Sequence, residues 1–261
     1  MAVKIVNLVK RYDRTIILDH LSVEAQEGEI FGLFGTNGSG KTTLVNCLMG
    51  ILKYDKGEIT IDGEKLFPGN LELKRKIGFV PQEIAVLKEL TVYENIAYFC
   101  SLYVDERSRE KELAEEAVKM CGLSEVRTLL PSKLNFSFLK RLNMACGIAG
   151  APKLLVVDEP VSGVDSMTKE LLLQAIRVLN KQGTTVLYAS NDIEELAHIC
   201  SRMAILFKGR VILTASEEEL KALVGEDEKV VIEVFRITSS VLEEIEKMPG
   251  VSYVNCLNNE V

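Results

Sequence analysis

The run Gly35-Thr36-Asn37-Gly38-Ser39-Gly40-Lys41-Thr42 constrains this chain more than any other stretch. It fits G-x-x-x-x-G-K-[ST] and lies between an apolar strand-like segment, Ile30 to Phe34, and a helix-like segment opening at Thr42. Glycines let successive backbone N–H groups turn towards one anion, and the helix start adds the positive end of its dipole. In such a loop the lysine reaches the β and γ phosphates of a nucleotide and the hydroxyl after it holds Mg²⁺. The candidate nucleotide contacts are therefore Gly35, Thr36, Asn37, Gly38, Ser39, Gly40, Lys41, Thr42 and Thr43. Strand, loop and helix in that order predict an α/β fold.

A divalent cation beside the phosphates needs a hard oxygen ligand at the end of another buried strand. Leu154-Leu155-Val156-Val157-Asp158 supplies it, and Glu159 follows where it would accept a proton from a water attacking the γ phosphate. Apolar patterning and turn signals predict strands over about 2–9, 16–25, 29–34, 57–61, 154–157 and 185–189, with two more across 202–215 turned at Lys208-Gly209. Helices are predicted over 42–52, 168–181, 194–200 and 217–224. Between 91 and 148 only helical periodicity occurs, at 92–103, 106–121 and 139–148, which reads as an all-helical insertion between two α/β halves. Gly225-Glu226-Asp227-Glu228 reads as a linker, and 230–235, 241–247 and 251–256 as a βαβ-like appendix whose abrupt stop at Val261 points to truncation.

Composition narrows the function classes. The 261 residues, 47% apolar, are enough for one to two domains with a proper core. A net charge of −7 argues against an electrostatic grip on nucleic acid or on an anionic membrane surface. The six cysteines show no C-x-x-C spacing and sit mostly in apolar periodic stretches, as free thiols in a reducing compartment do. No run approaches the ~18 apolar residues of a membrane span, and Met1 opens onto a strand-like run, so the expected location is cytoplasmic.

With Gly35 to Thr42 and Leu155 to Pro160 in place, the chain resembles the ATP-binding cassette subunits of ABC transporters over about residues 2–225. The resemblance implies a P-loop NTPase fold: α/β, with a mixed-sheet core, an antiparallel β subdomain and a helical subdomain at about 86–150, followed by a C-terminal extension at 226–261. Tyr12 falls where the family stacks an aromatic on adenine. Gln82, in Val80-Pro81-Gln82, matches the loop glutamine that senses Mg²⁺ and contacts the permease. Ser162-Gly163-Val164-Asp165 matches the loop that contacts a second cassette. The extension is similar to that of the drug and polypeptide exporter branch associated with ABC-2 type permeases. The implied cofactors are ATP and Mg²⁺, with Thr42, Gln82 and Asp158 at the metal. The implied partners are a transmembrane permease and a second cassette, which would hold the chain at the inner face of the membrane.

Two motifs depart from the family. Counting back from Asp158 sets Leu134-Asn135-Phe136-Ser137-Phe138 on the family's L-S-G-G-Q, whose serine and glycine amides grip the γ phosphate bound on the opposite subunit. Asn135 keeps an N-cap there, while Phe136 and Ser137 replace the glycines. Aligning Ser190-Asn191-Asp192 with the family's T-H-D puts Asn191 at the switch histidine, where an amide can donate a hydrogen bond but carries no charge. Two readings follow. One is the nucleotide-binding subunit of an exporter, hydrolysing weakly by itself. The other is a regulatory cassette that binds ATP but turns over poorly unless paired with a second one. A cassette for translation or DNA repair ranks below both, since there is one cassette, no long heptad insertion and no basic stripe.

Overall fold

The computed structural model describes residues 1–67, 69–224, 238–248, 251 and 254. The chain divides into two compact units, Met1–Glu217 and Glu218–Val261. The first opens with strands β1 (Val3–Tyr12), β2 (Thr15–Ala25) and β3 (Ile30–Phe34), then α1 (Lys41–Leu48), β4 (Lys56–Ile61), β5 (Glu64–Lys65), α2 (Leu71–Lys74) and β6 (Ile77–Val80). Helices α3 (Val92–Ser101), α4 (Arg107–Met120) and α5 (Phe136–Ile148) follow and pack on one another. Strand β7 (Leu154–Asp158), α6 (Ser166–Lys181), β8 (Thr185–Ser190), α7 (Ile193–Ile199), β9 (Arg202–Phe207) and β10 (Arg210–Ser216) then complete a second α/β half, as the periodicities predict.

Strands β3, β7 and β8 are apolar almost throughout and buried along their length, the condition for central parallel strands covered on both faces. They lie inside a six-stranded sheet of order β10-β9-β3-β8-β7-β6, parallel except for β9 with β10. A separate antiparallel sheet has the order β2-β1-β4-β5. Leu8, Leu18 and Leu21 from that sheet, Phe31 and Leu33 from the parallel one, and Leu44 and Leu48 from α1 share a single core. The five cysteines among the described residues are buried free thiols within such packing.

Three expectations shift. Strand β6 carries no recognisable signal, because Gly78 looks like a turn residue. It is instead a close approach, since a Cβ there would lie 2.3 Å from the carbonyl oxygen of Gly147 in α5. Helix α1 stops at Leu48 rather than Leu52, where Gly50 takes a left-handed φ of +65° and ends the turn. Helix α5 begins three residues earlier than expected, with Asn135 Oδ1 accepting from the Phe138 N–H at 2.9 Å. In the second unit the described elements are α9 (Ser239–Glu246) and α8 (Glu217–Val224), whose first residue belongs to the first unit. The expected strands at 230–235 and 251–256 lie outside the described residues apart from Val251 and Val254.

Two buried asparagines shape the loop after β6. Asn95 donates from Nδ2 to the carbonyls of Leu87, Leu90 and Thr91 and accepts from the Leu87 N–H, all within 3.0 Å. Asn143, on α5, donates to the Pro81 carbonyl and accepts from the Ala85 N–H. Asn95→Ala strands several buried polar groups at once and costs about 3 kcal/mol of stability. Urea unfolding of the variant against the parent measures this, and a loss below about 1 kcal/mol would contradict it.

Candidate functional site

Register alone assembles the site. Phe34 of β3 pairs with Ser190 of β8, and Asp158 of β7 pairs with Ala189, so three neighbouring parallel strands end side by side. The crevice beyond such carboxyl ends is where an open parallel sheet takes its ligand. Three sequence-predicted segments leave from it: the glycine-rich loop after β3, Asp158-Glu159 at the end of β7, and Asn191 after β8. The Gly35 N–H donates to the Ser190 carbonyl at 3.3 Å, and the Glu159 N–H to the Ala189 carbonyl at 2.8 Å.

Gly38 and Gly40 hold φ values of +79° and +109°, which a residue with a Cβ would strain to adopt. No side chain caps α1 after Gly40, and its first turn contains no acidic residue. The opening amides of α1 are thus a donor cluster suited to an anion. Strand β2 backs the loop, since a Cβ on Gly40 would meet Leu18 at 2.9 Å. Lys41 is 5% exposed; its ammonium donates to the carbonyls of Gly35 at 2.6 Å and Thr36 at 3.4 Å, and lies 3.5 Å from Glu159 Oε1. Glu159 Oε2 accepts from Gln82 Nε2 at 3.0 Å. Asn191 Nδ2 donates to Asn37 Oδ1 in the loop at 3.2 Å.

Asp158 is 1% exposed, and its Oδ1 has no hydrogen-bond partner; the buried hydroxyl of Ser39 has none either. Burial pushes the Asp158 carboxyl above its ordinary range, opposed by a hydrogen bond from the Thr42 hydroxyl and seconded by the charge of Glu159. An orphaned carboxylate oxygen beside a hydroxyl is a fitting pair of hard ligands for Mg²⁺. Among the described residues no three His, Cys, Asp or Glu side chains converge as a metal site. A cation here would need phosphate oxygens and water to complete its shell.

The remaining predicted residues stand apart. Tyr12 closes β1, 46% exposed, with the Lys10 ammonium 4.9 Å from its ring centre. Asn135 caps α5, and the Ser137 hydroxyl donates to Asp165 Oδ2 at 2.6 Å. That bond leads the causes that hold the Asp165 carboxyl down to about 2. Phe136 is half exposed, its ring against Gly163. Lys140 is not among the sequence-predicted site residues, yet the structure buries it between Gln82 and Glu159. Its spacing of three from Asn143 on an otherwise apolar helix face was the available signal.

Comparison with known proteins agrees with this geometry. Residues 18–162 match the family model described as ABC transporter. The chain is an ATP-binding cassette of the ABC transporter family. It is 31% identical over 248 residues to the linearmycin resistance ATP-binding protein LnrL of Bacillus subtilis, covering 95% of this chain and 80% of that one. It is 32% identical to the Nod factor export ATP-binding protein I of Sinorhizobium fredii, covering 96% and 71%. The cassette MJ0796, solved as a dimer bound to ADP and Pi, superposes with a TM-score of 0.76 at 28% identity, covering 82% of this chain and 98% of that one. Cassettes of this family bind and hydrolyse ATP, dimerise and work with membrane permeases. No helix among the described residues is long and apolar enough to cross a membrane.

Proposed function

We propose that this cassette binds Mg-ATP at the crevice beyond β3, β7 and β8 and couples its hydrolysis to export by a separate permease at the inner face of the membrane. The observation that carries this reading is the convergence on one crevice of the uncapped α1 amides, the buried Lys41 ammonium, the orphaned Asp158 oxygen and the Glu159 carboxylate. Lys41 and the loop amides bind the phosphates, and Thr42 and Asp158 hold Mg²⁺ with Gln82 beside it. Bound Mg²⁺ would neutralise charge on the transferring phosphoryl group. Glu159 accepts the proton of the attacking water, Asn191 donates to the γ phosphate, and Tyr12 stacks on the base. The likeness to LnrL and to the Nod factor export protein, over more than nine-tenths of the chain, supports the export branch. Co-purification with a polytopic membrane protein, and ATPase activity that rises when the two are reconstituted, test it; a cassette recovered free of any such partner contradicts the transport reading.

Weak turnover by the isolated chain is part of the proposal. Phe136 fills a position where a glycine amide would approach a partner's phosphate, and the Ser137 hydroxyl is already spent on Asp165. Asn135 offers its side chain to its own helix. A second cassette with an intact signature would complete the site built on Lys41, Asp158 and Glu159, while this chain's signature would serve the partner's site poorly. The combined change Asn135→Ser, Phe136→Gly, Ser137→Gly and Asn191→His is expected to raise steady-state turnover about 10- to 100-fold, the worth of a charge-assisted transition-state contact. Phosphate release at saturating Mg-ATP measures it, and a flat result shows that the departures carry no cost.

A further inference from the structure

The geometry points to Lys140 as a positioning residue that holds the main chain of Glu159 and the Gln82 loop in register for hydrolysis. The inference rests on reading Glu159 as the general base, and it explains how that carboxylate keeps its direction. Glu159 has φ +46°, in the left-handed region that disfavours a residue with a long side chain. Such a conformation persists only where the surroundings pin it on both sides. Here the Glu159 N–H is fixed by the Ala189 carbonyl at 2.8 Å, and the Glu159 carbonyl accepts from the Lys140 ammonium at 3.3 Å.

The same ammonium donates to the Gln82 carbonyl at 2.9 Å, and the Gln82 side chain reaches Glu159 Oε2. One turn further along α5, Asn143 clasps Pro81 and Ala85 on either side of Gln82. Helix α5 therefore grips the glutamine loop at three main-chain points and the base at a fourth, and Lys140 supplies the bonds to the two residues at the reacting centre. Lys140 is 4% exposed, and burial pulls its ammonium below the ordinary lysine range, with the charges of Glu159 and Asp158 opposing that shift. Its two hydrogen bonds end on carbonyls rather than carboxylates, so it directs backbone and leaves the Glu159 carboxylate to Lys41 and Gln82.

Full-length Lys140→Met, Lys140→Arg and Glu159→Gln proteins test the idea by steady-state kinetics and by amide hydrogen exchange. In Lys140→Met, kcat is expected to fall about 10- to 100-fold with KM for Mg-ATP little changed, the signature of a misaimed group rather than a lost binding contact. Exchange over residues 80–84 and 156–161 should quicken about tenfold while β1 and β2 keep their protection, and Lys140→Arg should recover most of both losses. If Lys140→Met does not fold, Lys140→Gln, whose amide keeps one of the two bonds, takes its place. Parental exchange over 156–161 in the folded variant overturns the positioning role. Full activity of Glu159→Gln overturns the base reading alone, and the exchange measurement still decides for Lys140.

Discussion

Lys41→Ala is expected to abolish nucleotide binding, with affinity for Mg-ATP falling about 100-fold or more, because a buried charge-assisted contact of 1.5 to 3 kcal/mol is lost for each phosphate oxygen the lysine serves. The ammonium is already desolvated, 5% exposed, and its partners are the Gly35 and Thr36 carbonyls and the Glu159 carboxylate. A phosphate entering the loop therefore meets a cation whose dehydration cost was met on folding, which makes the contact stronger than one made by a surface lysine. Lys41→Arg should not restore binding, since the guanidinium is too broad for a position between two loop carbonyls. Titration with a fluorescent ATP analogue measures the effect, with thermal unfolding as the control for folding. Affinity within about twofold of the parent would contradict the phosphate-loop reading.

The placement of the glycine-rich loop and of Asp158-Glu159 is legible in the sequence because each is a contiguous run beside an apolar strand, and contiguity is what pattern reading detects. Their meeting is also implied, since parallel strands of one sheet must end on the same side of it. What the sequence hides is long-range. Strand β6 is masked by Gly78, which is glycine because the Gly147 backbone of α5 needs its space, and nothing near residue 78 announces that neighbour. The left-handed turn at Glu159 depends on Ala189 and Lys140, far along the chain in either direction. Lys140 offers only its spacing from Asn143 on an apolar helix face until the loop holding Gln82 is folded over it. The departures at Asn135, Phe136 and Ser137 are visible as letters, but the diversion of the Ser137 hydroxyl to Asp165 is a property of the packed molecule.

Glu159→Gln is expected to lower kcat about 10²- to 10⁴-fold, the range for removing a positioned general base, while nucleotide binding persists. The substitution keeps shape and burial. It leaves one acceptor oxygen where the carboxylate had two, so Lys41 retains a partner if the new carbonyl faces it, and the Gln82 amide need only turn over to accept from the new NH₂ group. The main-chain bond to the Ala189 carbonyl and the one from Lys140 are untouched, because they involve the N–H and carbonyl of residue 159 and not its side chain. Any large loss of turnover then belongs to proton transfer and not to a disordered crevice. With binding intact and hydrolysis blocked, ATP should remain on the protein, which the ratio of retained ATP to ADP after gel filtration would register against the parent. Phosphate release unchanged from the parent would remove the catalytic assignment from Glu159 and leave proton transfer to another base.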